Sequence, residues 1–99
     1  MVDQTDSEKI FAKLRALKPV LAARGVTRLR VFGSVARGEA GPDSDVDLIV
    51  DFDVKPDLFA FSGLRLDMID MLGRKVDLVT DAALHPYLKA KILSEARDV

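Results

Sequence analysis

The chain has 99 residues, enough for one hydrophobic core and too few for two independent ones. Its 15 basic and 16 acidic residues leave a net charge of −1, which excludes the Lys/Arg excess used to coat a long nucleic acid but not the handling of a single nucleotide. Cysteine is absent, so disulfides, thiolate catalysis and Cys-type zinc sites are excluded, and a reducing compartment fits.

No apolar run approaches the roughly 18 residues of a membrane span. The N-terminus, MVDQTDSEKI, lacks a signal-peptide pattern. The chain therefore reads as one cytoplasmic domain over residues 1–99, with no partner in a membrane or a long nucleic acid. A domain this small buries only roughly 60–65% of its unfolded surface, so a partner covering part of it would add stability.

Residues 5–24 read as a helix. Ile10, Leu14, Leu17 and Leu21 recur at helical spacing, with Phe11 beside them. Thr5 or Asp6 suits the N-cap, with Glu8 placed for a capping box, and Gly25 suits the C-terminal cap. Pro19 predicts a break or kink. Thr27–Phe32 alternates, Leu29 and Val31 against Arg28 and Arg30, and reads as a strand. Ser34–Arg37 is the first turn of a short helix ended by Gly38. Residues 38–44 are loop, with Gly41-Pro42 its strongest breaker.

Val46–Phe52 is a second strand, with Val46, Leu48, Val50 and Phe52 on its buried face and Asp45, Asp47, Ile49 and Asp51 on the other. A second long helix covers 57–72, with Leu58, Phe61, Met68 and Leu72 apolar and Gly73 closing it. Lys75–Thr80 is a third strand, Val76, Leu78 and Thr80 opposing Asp77 and Val79. Pro86 to about Arg97 is a last helix with Leu88, Ile92 and Leu93 as its stripe. This order predicts an α/β (α+β) fold, a small mixed sheet of three or more strands with helices mainly on one face.

The chemistry concentrates in Gly33–Ile49, GSVARGEAGPDSDVDLI. A strand running into Gly33 and then a helix start leaves backbone N–H groups free for phosphate, and Ser34 adds a hydroxyl. A tight turn with Ser34 as N-cap accounts for the same two residues. Asp45 and Asp47, two apart on a strand, project from one face about 6.5 Å apart. They suit Mg²⁺, which completes its shell with water and phosphates, and equally suit a solvated strand entrance.

Asp77 is disfavoured mid-strand. A strand adjacent to Asp45–Asp47 would make a three-carboxylate patch able to hold two metals and to orient an acceptor hydroxyl. Arg37, one turn beyond Ser34, is placed to reach triphosphate oxygens or to pair with a nearby aspartate, and equally to complement the helix dipole. His85, before Pro86, reads as a solvated or capping residue. Arg65, Asp67, Asp70, Arg74 and Lys75 read as the solvated face and end of a helix.

GSVARG, a short loop, SDVDLIV and a later VDLVT together resemble the minimal nucleotidyltransferase (MNT) group of the DNA polymerase beta superfamily. The resemblance spans Leu29–Thr80 in strand and helix order, and the flanking helices are compatible. It implies that Gly33 and Ser34 bind the triphosphate, that Asp45 and Asp47 hold two Mg²⁺ ions, and that Asp77 is the third acid. The implied reaction is attack by a hydroxyl on the α-phosphorus of a nucleoside triphosphate, with release of pyrophosphate.

So little chain remains to enclose base and acceptor that a second polypeptide is expected in a hetero-oligomer. Stand-alone chains of this group resemble antitoxins that transfer AMP from ATP to a tyrosine of a HEPN-type toxin. Two other readings stay open: nucleotidylation of a small hydroxyl compound held by a partner subunit, and a non-catalytic antitoxin that inhibits by occlusion.

Overall fold

The apolar period of the N-terminal segment produces helix α1, Asp6–Ala23. The computed structural model describes residues 5–99; the first four, part of the segment read for a targeting signal, lie outside the described residues. The Thr5 hydroxyl caps α1, accepting from the Glu8 N–H at 3.1 Å. The chain leaves through Gly25 at φ +87°, a conformation that glycine adopts at no steric cost. Pro19 does not end the helix, which runs on to Ala23. Both Pro19 and Arg15 lie on the exposed side, where the carbonyl that Pro19 cannot satisfy has water available.

The remaining elements are β1 (Val26–Phe32), α2 (Gly33–Ala36), β2 (Val46–Phe52), α3 (Leu58–Leu72), β3 (Val76–Val79), a 3₁₀ turn (Asp81–Ala83), α4 (Pro86–Glu95) and β4 (Arg97–Asp98). The Asp57 carboxylate caps α3 through the Ala60 N–H at 2.7 Å, and Gly73 closes it in the left-handed region. His85 is the exposed N-cap of α4, its Nδ1 accepting from the Tyr87 N–H at 3.3 Å.

The strands form one mixed sheet in the order β3-β2-β1-β4. β1 runs antiparallel to β2 and β4, while β2 and β3 are parallel. A parallel neighbour requires a crossover, and α3 provides it. One core cluster joins Leu14 and Leu21 of α1, Val31 of β1, Leu48 and Val50 of β2, Leu64, Met68 and Leu72 of α3, and Leu78 of β3. Val46, Leu48 and Val50 face this core as their alternation predicts. The opposite face is not bare, because Ile49 is fully buried there, outside that cluster.

Three expectations need correction. The last helix ends at Glu95, and Arg97–Asp98 forms a fourth strand on the outer edge of β1. Arg28 holds it by donating to both carboxylate oxygens of Asp98, at 2.8 and 3.1 Å. Leu58 is 77% exposed and Phe59 88%, because α3 first packs on the core a turn later, at Phe61, and is fully buried only from Leu64. The α4 stripe is also shallow, with Leu88 exposed and Ile92 and Leu93 half-buried.

Equilibrium urea unfolding checks this distribution of burial. Leu14→Ala should lose about 3 kcal/mol, as for a fully buried leucine, whereas Leu58→Ala should stay within about 0.5 kcal/mol of the parent chain.

Candidate active site

Strand register carries Phe32, Asp47 and Asp77 to one level of the sheet. Phe32 pairs with Asp47 across the antiparallel ladder, and Asp47 pairs with Asp77 across the parallel one. Their side chains therefore leave the face opposite the main core, and the next row on that face is Arg30, Ile49 and Val79. Asp45 stands one residue before β2, in the loop rather than on the strand, yet its charge is felt at Asp47.

Gly33 closes the group from the side of β1. It has φ +72°, and a Cβ built on it would collide with Asp47 Oδ2 and stand 3.4 Å from Asp47 Cγ. A glycine is thus required twice over at this position, by conformation and by space. The N-cap of α2 is Phe32, and no side chain caps it. Ser34 is therefore not the cap, and the first amides of α2 keep no side-chain partner.

Asp47 is the electrostatic centre. Burial pushes its carboxyl above the ordinary carboxylate range, the negative charges of Asp77 and Asp45 push it further, and Arg37 opposes them. Ionised Asp47 therefore costs the fold stability at pH above its raised value, and that cost fades as pH falls from the raised toward the ordinary value and is gone below it.

Arg37 is engaged within the protein. Its guanidinium bridges Glu39 at 3.0 Å and Glu95 of α4 at 3.3 Å, so any approach to a phosphate requires exchange of these partners. Arg74, expected on a solvated helix end, is instead half-buried. It donates to the carbonyls of Gly41 and Ser44 in the loop that precedes Asp45. Nothing local in the sequence marks this contact, since an arginine after a helix-closing glycine is ordinarily solvated. Asp67 is in an exposed pair with Arg24 at 2.6 Å.

Among the described residues, no three acidic or histidine side chains already enclose a position for a metal ion. The donor set nevertheless suits Mg²⁺. Hard carboxylate oxygens that repel one another are relieved by a cation, and Mg²⁺ takes one or two carboxylates and fills its shell from water and phosphates. The residues fit an ion that arrives with a nucleotide rather than a preformed cage.

The family of nucleotidyltransferase domains matches residues 8–99 of this chain. The chain belongs to that family. Among similar proteins, the protein adenylyltransferase MntA of Thermococcus cleftensis is 43% identical over 89 residues, covering 89% of this chain and 90% of that one. The solved structure of a candidate minimal nucleotidyltransferase superposes with a TM-score of 0.81 at 40% identity, covering 99% of this nucleotidyltransferase and 100% of its own chain. A more distant likeness in fold is the complex of a tri-AMPylated Shewanella oneidensis HEPN toxin with an MNT antitoxin. There the TM-score is 0.58 at 22% identity, over 93% of this chain and 66% of that one. The α/β architecture with its mixed sheet is thus that of a minimal nucleotidyltransferase, and the protein is an enzyme of that class. No described helix is long and apolar enough to cross a membrane.

Two substitutions test this geometry by thermal and urea unfolding. Gly33→Ala should cost about 2–3 kcal/mol, more than Gly38→Ala at about 1 kcal/mol. Both positions have positive φ, but only Gly33 has Asp47 in the way. Asp47→Asn should raise stability at neutral pH, a gain that shrinks as pH falls into the ordinary carboxylate range.

Proposed function

We propose that this nucleotidyltransferase transfers AMP from ATP to a tyrosine hydroxyl of a HEPN-type toxin partner, and so acts as the antitoxin of the pair. The observation that carries the reading is the register of Asp47 and Asp77 at one level, beside the uncapped turn at Gly33-Ser34. The similarity to a protein adenylyltransferase supports AMP as the transferred group and protein as acceptor. The fold shared with an MNT antitoxin bound to an AMPylated HEPN toxin supports the partner class. The whole chain then acts as one minimal domain in a cytoplasmic hetero-oligomer, where ATP is at hand.

In this reading the free amides at Gly33 and Ser34 receive the triphosphate, which the missing Cβ of Gly33 lets approach the backbone. Arg37 leaves Glu39 or Glu95 to meet phosphate oxygens. Asp45 and Asp47 would hold Mg²⁺, two ions with Asp77 sharing, and bound Mg²⁺ supplies charge neutralisation on the phosphates and a more acidic acceptor hydroxyl. A tyrosine hydroxyl ionises near pH 10, so it needs help at neutral pH. Asp77 orients it and accepts its proton. The phenolic oxygen bonds to the α-phosphorus as the bond to the bridging oxygen breaks, and pyrophosphate leaves.

The test incubates the chain with α-labelled ATP, Mg²⁺ and a HEPN-type partner, and follows label on a denaturing gel. Label should appear on the partner, fall to background in Asp45→Asn and Asp47→Asn, and slow by about 10²–10⁴-fold in Asp77→Asn. Binding of the partner should persist in all three variants. Label only in a small adduct, or full neutralisation of the partner by the unlabelled variants, would overturn protein adenylylation.

A further inference from the structure

The loop that delivers Asp45 has almost nothing apolar to hold it. Residues 38–45 read GEAGPDSD, and Asp45 precedes the first ladder residue of β2. A carboxylate in such a segment would ordinarily sample many directions. Gly38 and Glu39 are still tied to α2, through the Val35 and Ser34 carbonyls at 3.1 and 2.8 Å, and beyond them three bonds hold the loop: the Ala40 N–H to Ser7 Oγ at 3.3 Å, the Gly41 N–H to Ser44 Oγ at 2.8 Å, and the Ser44 N–H to the Gly41 carbonyl at 3.2 Å. Of these three only the first reaches another element, and none reaches the strand that carries Asp77.

Arg74 makes that link. Its Nη1 donates to the Gly41 carbonyl at 2.7 Å and to the Ser44 carbonyl at 3.2 Å, spanning both ends of the turn. Its Nη2 stands 3.4 Å from Asp6 Oδ1 at the start of α1, and its side chain is 17% exposed. One half-buried guanidinium therefore joins the N-terminus of α1, the loop before Asp45 and the entry to β3. The adjoining backbone bond, from the Val46 N–H to the Lys75 carbonyl at 2.9 Å, begins the ladder between the two strands. Asp77 follows two residues after Lys75. The planar fork suits this task, because it satisfies two carbonyls and a carboxylate at once, where an ammonium is a single point.

We propose that Arg74 is a positioning residue, setting the direction of Asp45 relative to Asp47 and Asp77 through the Gly41–Ser44 turn. It touches neither nucleotide nor acceptor, and acts through the loop. The assignment rests on the metal-binding reading of these aspartates given above.

Two measurements on the full chain test it, with Arg74→Gln and Arg74→Lys. Amide hydrogen exchange should accelerate about tenfold or more at Gly41 and Ser44–Val46 in Arg74→Gln, with the core amides of Val31 and Leu48 unchanged. Affinity for Mn²⁺ in the presence of a non-hydrolysable ATP analogue, read by electron paramagnetic resonance, should weaken by about 10–100-fold, as for loss of an outer-shell partner. Arg74→Lys should recover part of both effects. An unchanged loop, acceleration spread equally through the core, or a loosened loop with Mn²⁺ affinity intact would each overturn the proposal. Failure of the unsubstituted chain to bind Mn²⁺ with the nucleotide would instead overturn the metal reading itself, and is told apart because it appears without any substitution.

Discussion

Two carboxylates at the same level of adjacent parallel strands repel one another, and this fold keeps them there. The pairing of Asp47 with Asp77 is fixed by backbone ladder bonds between β2 and β3, which are insensitive to side-chain charge. The opposite face of the same strands drops Val46, Leu48, Val76 and Leu78 into the main core. Because side chains alternate at a period of two, a slip of one residue would bury the aspartates and expose that core. The hydrophobic term on one face thus enforces an electrostatically unfavourable arrangement on the other.

The surrounding features follow from that conflict. The parallel relation of β2 and β3 demands a crossover, and α3 supplies it while contributing Leu64, Met68 and Leu72 to the core. Gly33 leaves room for the Asp47 carboxylate where any other residue would intrude. Among the described residues Arg37 is the cation that eases the charge on Asp47, yet it is itself occupied by Glu39 and Glu95. The described site is therefore left with negative charge in excess, a state that a cation-bearing nucleotide would relieve.

Two helices leave the packing of this chain unfinished. Helix α4 contributes no fully buried side chain, and Tyr87 at its start is 91% exposed. The start of α3 presents Leu58 and Phe59 to solvent.

Most elements were legible in the residues. Periodicity placed α1, β1, β2, α3 and β3 to within about two residues, because each has one face against the core and its pattern records that fact. The family resemblance rested on the GS turn, the DVD pair and the later VDL, and the membership it implied holds across residues 8–99. What escaped was long-range and polar. A two-residue edge strand carries no period, so Arg97 read as the end of a helix and Asp98 as part of no element. Leu58 and Leu88 fit helical spacing, but spacing cannot say on which turn the core begins. Arg74 looked like any arginine after a helix-ending glycine, because its partners lie about thirty residues away in the chain. Local chemistry and alternation are written residue by residue, whereas the level at which Asp47 meets Asp77, and the guanidinium that steadies the loop beside them, exist only once distant segments have been packed together.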